Sequence, residues 1–187
     1  MATPIGHGLI ATGLSLLIFR GGRANNLKIL ALLVFAANVP DLDFLPGLIS
    51  GDLNRYHQGI THSIFGLTVF LLVCAVFVHG MKASRDWLIW LGLAYGSHLV
   101  IDYFGTDNRM PVGMPLFWPV SSDFYKSSLD LLPGVRHGGN GADWTEFVTD
   151  LLSWANLQAI GVEFLVSLPV LIMGYVVYRR RMYLKNK

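Results

Sequence analysis

The chain has 187 residues, of which 53% are hydrophobic and only 14% are charged. This balance is too apolar for an ordinary soluble domain and indicates a protein that lies in a lipid bilayer. The formal net charge of +2 argues against a nucleic-acid-binding protein, because such proteins carry clustered basic faces. The single cysteine, Cys74, lies within an apolar run and forms no disulfide or metal-binding pattern.

Five apolar runs predict five membrane-spanning helices. They cover residues 5–19, 27–40, 63–80, 87–104 and 157–178. A helix needs about 20 apolar residues to cross a bilayer, and the third and fifth runs meet this requirement best. We interpret the other three as spans because their ionisable residues fall on one common side. The predicted fold is therefore an all-α membrane bundle, with residues 1–187 as a single domain.

The positive charges predict the orientation of these spans. Ten of the 14 Lys and Arg residues lie in two connections and the C-terminal tail: Arg20, Arg23, Lys28, Lys82, Arg85, Arg179, Arg180, Arg181, Lys185 and Lys187. The positive-inside rule places them in the cytoplasm. Five crossings of the inner membrane then leave the N-terminus outside and the C-terminus in the cytoplasm. The first run lacks a preceding basic region, so we expect no cleavable signal peptide.

Residues 105–156 form the one long connection on the outer side. The segment from Pro111 to Pro119 is too rich in proline for a regular helix, and its aromatic residues suit an interfacial loop. Asp143 to Trp154 has apolar residues at helical spacing, which predicts a short helix along the surface. We expect this connection to fold over the outer ends of the helices.

Histidines and aspartates concentrate at those same outer ends. The candidate metal ligands are His7, Asp41, Asp43, His57, His62, His98 and Asp102. Ionisable side chains are costly near the hydrocarbon, so a cluster of them there indicates a functional site. Four separate segments deliver the seven residues to one face of the membrane, and we therefore expect them to meet in one outward-facing pocket.

The spacing of two pairs suits metal binding. His98 and Asp102 are four residues apart, so both project from one helix face and can share a metal, or the acid can orient the imidazole. Asp41 and Asp43 follow Pro40 in a turn where two converging carboxylates call for a cation. The alternatives are a hydrogen-bonded core pair for the first, and a helix cap with a solvated acid for the second.

The other histidines require a particular local structure. His57 and His62 are five residues apart and can face the same site if the chain turns at Gly59, with Thr61 or Ser63 capping the next helix.

For His7 the alternative is an interfacial residue without a ligand role.

Nitrogen and oxygen ligands without thiolates favour zinc, with manganese as the second choice. Seven candidates exceed the three or four protein ligands of one zinc, which predicts two ions.

Further residues are candidates for catalysis and substrate contact. Asp41 or Asp43 is placed to take a proton from metal-activated water. Arg55 and Arg109 are candidate phosphate clamps, with solvated loop charges as the alternative, and Trp118 is a candidate substrate contact. The sequence has neither Gly-x-Ser-x-Gly nor His-Glu-x-x-His, so it lacks the usual serine hydrolase and zinc peptidase motifs.

Together these motifs resemble the bacterial membrane-bound metal-dependent hydrolases typified by the inner-membrane YdjM proteins. The resemblance covers about the first 120 residues and rests on His7, Pro40–Asp43, His57–Ser63, His98-x-x-x-Asp102 and the Pro111–Pro119 run. That family is distantly similar to zinc-dependent phospholipase C, an all-helical enzyme with histidine and aspartate ligands. The resemblance implies hydrolysis, with a phosphoester as substrate. One departure from the family is the longer spacing between Asp102 and Pro111.

The expected function is therefore metal-dependent hydrolysis of a phosphoester in a lipid or lipid-linked substrate at the outer face of the inner membrane. One alternative is a non-enzymatic metal-binding or transport protein. The inner half of the membrane carries none of the ligands, which argues against a transporter because no polar relay crosses the bilayer. A zinc-dependent lipid amidase is a further alternative.

Overall fold

The computed structural model describes residues 1–19, 23–52, 55–82, 84–107, 110–138, 144–185 and 187. Within these ranges the chain forms seven α-helices, α1 to α7, and two 3₁₀ turns. The helices are α1 Pro4–Ile18, α2 Arg23–Asn38, α3 Leu45–Ser50, α4 Ile64–Gly80, α5 Asp86–Tyr103, α6 Trp144–Leu151 and α7 Trp154–Lys185. The 3₁₀ turns are Pro40–Phe44 and Ile60–His62. These residues contain no strand beyond two isolated β-bridges, so the all-α fold is confirmed.

The five predicted runs are helical, but their number of membrane crossings stays a prediction. Among the described residues, α7 is the one helix that is both long and apolar enough to span a bilayer. A second candidate is α2 together with Pro40–Gly47, which meet at a bend of 52°. The apolar helices α1 and α4 have 15 and 17 residues, about 23 and 26 Å, which is shorter than a hydrocarbon core of about 30 Å.

Helix α1 packs against α2, α5 and above all α7. A Cβ atom at Gly13 of α1 would lie 2.9 Å from the backbone carbon of Val170 on α7, and one at Gly174 would meet the Gly13 carbonyl. The two helices therefore approach each other so closely that neither position has room for a larger residue.

The segment before α1 is fixed to the first third of α7. Thr3 donates to the buried carboxylate of Glu163 from its backbone N–H, at 2.6 Å, and from its hydroxyl. The same hydroxyl accepts the Gly6 N–H at 3.0 Å and so caps α1. These bonds fix the start of α1, and with it His7, against α7.

The described part of residues 105–153, the connection that the sequence predicts to lie on the outer side, folds back over the ends of α4 and α5. Ile64 at the start of α4 donates its N–H to Leu116 at 3.0 Å, and Thr106 donates to Leu132 at 2.9 Å. Met114 is buried against Tyr95 and Leu99 of α5. The connection therefore closes one end of the bundle, where the histidines and aspartates lie.

Candidate metal centre

All seven predicted ligands come together at this end of the bundle. Their imidazole nitrogens and carboxylate oxygens form three overlapping groups, each within 4.8 Å: His7, His98 and Asp102; Asp41, His62 and His98; Asp43, His57 and His62. The groups share His98 and His62, so they make one continuous cluster. The rings of His7, His62 and His98 are fully buried.

Local sequence signals explain how the cluster forms. Pro40 cannot continue α2, so the chain bends into the Pro40–Phe44 turn that carries both aspartates. Ser63, one of the two predicted caps, starts α4 by accepting the Gly66 N–H at 3.0 Å. On α5, His98 Nε2 and Asp102 Oδ2 are 3.2 Å apart, as their four-residue spacing predicts.

The donor atoms at the centre of the cluster are spaced like neighbouring ligands of a metal ion. His62 Nε2 and His98 Nε2 are 3.1 Å apart. Asp41 Oδ1 lies 3.5 and 3.6 Å from these two nitrogens, and Asp102 Oδ2 lies 3.6 and 3.2 Å from them. Zinc with four ligands at about 2.0–2.1 Å holds those ligand atoms about 3.3–3.4 Å apart. The five distances therefore fit one divalent cation.

Hydrogen bonds on the far side of each ring support the same interpretation. His98 Nδ1 lies 2.8 Å from the Ala37 carbonyl oxygen, which can only accept, so this nitrogen carries the proton. His62 Nδ1 lies 3.1 Å from Asp43 Oδ2, which also accepts. Both Nε2 atoms then present lone pairs to each other, and such an arrangement needs a proton or a metal cation between them.

Orphaned polar atoms surround the same point. Neither ring nitrogen of His7 has a hydrogen bond within the described residues, and neither does Asp102 Oδ2. The His7 ring stacks on His98 with centroids 3.7 Å apart, and its Nε2 lies 3.5 Å from Asp102 Oδ1. Buried polar atoms are normally paired, so the lone pairs of Asp102 Oδ2 and of an unprotonated His7 nitrogen fit a bound cation.

Asp43 has a different position from the other two aspartates. Its carboxylate binds His57 Nδ1 at 2.8 Å, Thr61 Oγ1 at 2.9 Å and Gly59 N at 3.3 Å, in addition to His62. Four hydrogen bonds occupy most of the lone pairs of a carboxylate. This arrangement favours Asp43 as the residue that orients His62.

The two histidines before α4 differ in their acidity. Burial alone lowers the pKa of His62, but hydrogen bonds to Asp41 and Asp43 outweigh burial and raise the pKa to about 10. Burial lowers the pKa of His57 below its ordinary value, and the Asp43 carboxylate opposes that effect only in part. Without a metal, the cluster therefore holds a proton on His62.

Aromatic rings enclose one side of the cluster. His57 stacks on Phe44 with centroids 3.7 Å apart. His137, from the outer connection, meets Phe44 and His57 edge-on at 5.8 and 5.5 Å, and Phe147 of α6 meets Phe44 at 5.8 Å. His137 is buried beside the cluster although it was not among the seven predicted ligands. No spacing in the sequence connects it with His57.

The predicted substrate contacts have other surroundings. Arg55 is exposed, with its guanidinium 5.6 Å from the Tyr56 ring centroid. Trp118 packs edge-on against Phe65 at the start of α4, with centroids 5.1 Å apart. Arg109 lies outside the described residues. The substrate roles of all three stay predictions.

Comparison with known proteins supports the membrane assignment. No curated protein and no solved structure matches the chain. The sequence model of one family, described as YdjM inner membrane protein, matches residues 1–183, which is nearly the whole chain. The chain that builds this histidine and aspartate cluster therefore belongs to the YdjM inner membrane protein family.

Proposed function

We propose that the protein is a membrane-embedded, metal-dependent hydrolase that cleaves a phosphoester of a lipid or lipid-linked substrate at the outer face of the inner membrane. The observation that carries this proposal is the His62 and His98 nitrogen pair, 3.1 Å apart and flanked by two carboxylates. A nitrogen and oxygen donor set favours zinc, with manganese as the alternative.

The burial of the four central residues suggests that Asp41 has a different role from the other three. The side chains of His62, His98 and Asp102 are at most 1% exposed, whereas the Asp41 side chain is 15% exposed. Catalytic zinc sites have three protein ligands and leave a position open for water. In this proposal the three buried residues hold the cation, and Asp41 at the open edge takes a proton from the attacking water.

Two other residues complete the proposed centre. Asp102 Oδ2 lies near His98 and Asp102 Oδ1 lies near His7, so His7 and Asp102 are the residues that would hold a second cation. Asp43 acts through His62 as a positioning residue. A divalent cation here supplies a Lewis acid for the phosphoryl oxygen and makes a bound water more acidic.

The proposal also includes the number of membrane crossings and the orientation of the chain. Five crossings with the N-terminus outside put this end of the bundle at the outer surface, as the distribution of Lys and Arg residues predicts.

Metal analysis combined with a lipid hydrolysis assay tests the proposal. The wild-type chain should copurify with zinc and release phosphate-containing headgroups from a lipid panel. Asp102→Asn and His98→Ala should lose both properties. The matched controls Asp86→Asn and His79→Ala change exposed residues outside the cluster and should retain both. Absence of zinc from the folded wild-type protein, or full activity in both cluster variants, would refute the proposal.

The enclosure of the centre favours a second candidate, a metal-binding protein without turnover. Four protein ligands with so little exposure resemble a closed, structural zinc site. Bound zinc without hydrolysis of any lipid would favour this candidate. Release of a fatty acid from an amide-linked, ceramide-like lipid, with its headgroup retained, would favour an amidase.

A further inference from the structure

A cleft of about 1160 Å³ lies beside the metal centre and contains none of its ligands. One wall is the outer connection around Arg136 and His137, and the opposite wall is one side of α7 from Ala155 to Leu165. This part of α7 extends about 15 Å along the helix axis. The cleft therefore runs parallel to the helix best suited to cross the membrane.

The polarity of the cleft changes along α7. The backbone N–H and carbonyl of Arg136 both bind the Asn156 side chain, at 2.8 and 2.7 Å, so Arg136 is fixed at the first turn of the helix. Val162, Phe164 and Leu165 line the cleft about 9–14 Å further along and are exposed. One end of the cleft thus carries polar and charged groups, among them Arg136, and the other end is apolar.

The charges in the polar end leave Arg136 available to an anion. Its exposed guanidinium forms no ion pair with the carboxylates in the described part of the chain. Two acids also line the cleft, but each accepts a backbone N–H: Asp150 from Gly138 at 2.9 Å and Asp107 from Gly113 at 2.8 Å. Through these bonds the two carboxylates hold the surrounding loops in place.

The cleft and the metal centre share two walls. Met1 lines the cleft, and the next residue, Ala2, donates its N–H to Asp102 Oδ1 at 2.9 Å. His137 lines the cleft as well and contacts the His57 ring. A ligand in the cleft would therefore lie next to both sides of the cluster.

We infer that this cleft binds an anionic glycerophospholipid, with its phosphodiester at Arg136 and its acyl chains along Val162, Phe164 and Leu165. The inference deepens the proposed function because it names the substrate class and the place where the substrate enters. The order of Arg136 and then apolar side chains along the cleft matches the order of phosphate and acyl chains in such a lipid. A protein of an inner membrane family is surrounded by these lipids.

The substitution Gly161→Phe would block the cleft without disturbing its walls. A Cβ atom at this position meets nothing within 4 Å, so the ring in Gly161→Phe projects into open space without displacing the protein. Gly80→Phe is the matched control because Gly80 is equally open and does not line the cleft. For the charge, Arg136→Gln is compared with Arg136→Lys, and Arg85→Gln serves as a control outside the cleft.

The experiment is photo-crosslinking of the purified full chain in detergent with phosphatidylglycerol that carries a diazirine in one acyl chain. Crosslinks should map to residues 161–165. The yield should fall about tenfold in Gly161→Phe and about fivefold in Arg136→Gln, since each removes a main part of the binding surface. It should be largely kept in Arg136→Lys and unchanged in both controls.

Competitors identify the ligand chemistry. Unlabelled phosphatidylglycerol should abolish the crosslinks, whereas inorganic phosphate and diacylglycerol should not. The inference is overturned if phosphate alone displaces the probe, if a neutral lipid competes equally well, or if both cleft variants crosslink like wild type. Zinc content and hydrolysis are measured on the same samples, so failure of the proposed function appears separately as lost turnover with crosslinking intact.

Discussion

Asp43 Oδ2 lies 3.1 Å from His62 Nδ1, on the opposite side of the ring from the nitrogen that faces His98. This carboxylate sets the tautomer of His62. Asp43→Asn can turn its amide N–H towards Nδ1 and so take away the lone pair that Nε2 offers. Zinc affinity should fall about 10–100-fold while the protein stays folded.

A zinc titration against a competing chelator measures this change. Asp123→Asn serves as the control because Asp123 is exposed and, within the described residues, bonds only with Ser121. An Asp43→Asn protein that binds zinc as tightly as wild type would show that Asp43 does not orient His62.

Zinc binding should become weaker as the pH falls. In the metal-free protein the hydrogen bonds to Asp41 and Asp43 raise the pKa of His62 to about 10 against the effect of burial, so the ring is protonated at neutral pH. A cation must displace this proton. The affinity should therefore rise about tenfold for each pH unit between pH 6 and 7.5. A flat profile in chelator competition over this range would contradict the role of His62 as a ligand.

Two glycines of α1 should respond to alanine with opposite signs. A Cβ atom at Gly13 would lie 2.7 Å from Val170 Cγ1 and 2.9 Å from its backbone carbon, whereas one at Gly8 meets Val34 at an ordinary 3.7 Å. Gly13→Ala should lower the free energy of unfolding by about 1–3 kcal/mol, since α1 and α7 must separate. Gly8→Ala should raise it by up to about 1 kcal/mol, since alanine favours the helix.

Thermal unfolding in detergent compares the two variants directly. Equal shifts in Tm for both would show that α1 and α7 do not approach as closely as Gly13 and Val170 indicate.

The contact between Thr3 and Glu163 should contribute more to the free energy of unfolding than an ordinary threonine hydrogen bond does. Thr3→Val removes the cap on α1 and the hydroxyl that binds the buried Glu163 carboxylate, which should cost about 2–3 kcal/mol of stability. Thr12→Val is the matched control, because the Thr12 hydroxyl donates to the Gly8 carbonyl one turn earlier within the same helix. Urea or thermal unfolding of both variants measures the difference, and equal losses would contradict the structural role of Thr3.

Much of the site could be predicted from the sequence because its signals are local. The four-residue spacing of His98 and Asp102, the turn at Pro40 and the cap at Ser63 each depend on neighbouring residues only. Because charged side chains are costly in apolar surroundings, the sequence also predicted that the separate segments meet at one end of the bundle. The helical runs could be found for the same reason, since hydropathy is read over one short segment at a time.

Other features depend on tertiary contacts that leave no local pattern. The partner of Glu163 is 160 positions away in the chain, and the position of His137 beside His57 depends on how the outer connection folds. The role of Asp43 becomes visible only through its four hydrogen bonds. The number of crossings stays a prediction, because α1 and α4 are shorter than the hydrocarbon core that five spans would have to cross.

The length of α7 has a mechanical consequence. Its 32 residues extend about 48 Å, whereas the hydrocarbon of a bilayer is about 30 Å thick. Placed across such a layer, the helix must tilt or protrude by several turns, and its final turns carry Arg179, Arg180 and Arg181. Arg181 donates to the Leu17 carbonyl at the end of α1. The exposed guanidinium groups of Arg179 and Arg180 would then lie at the phosphate level of the lipids and limit how deeply the helix inserts.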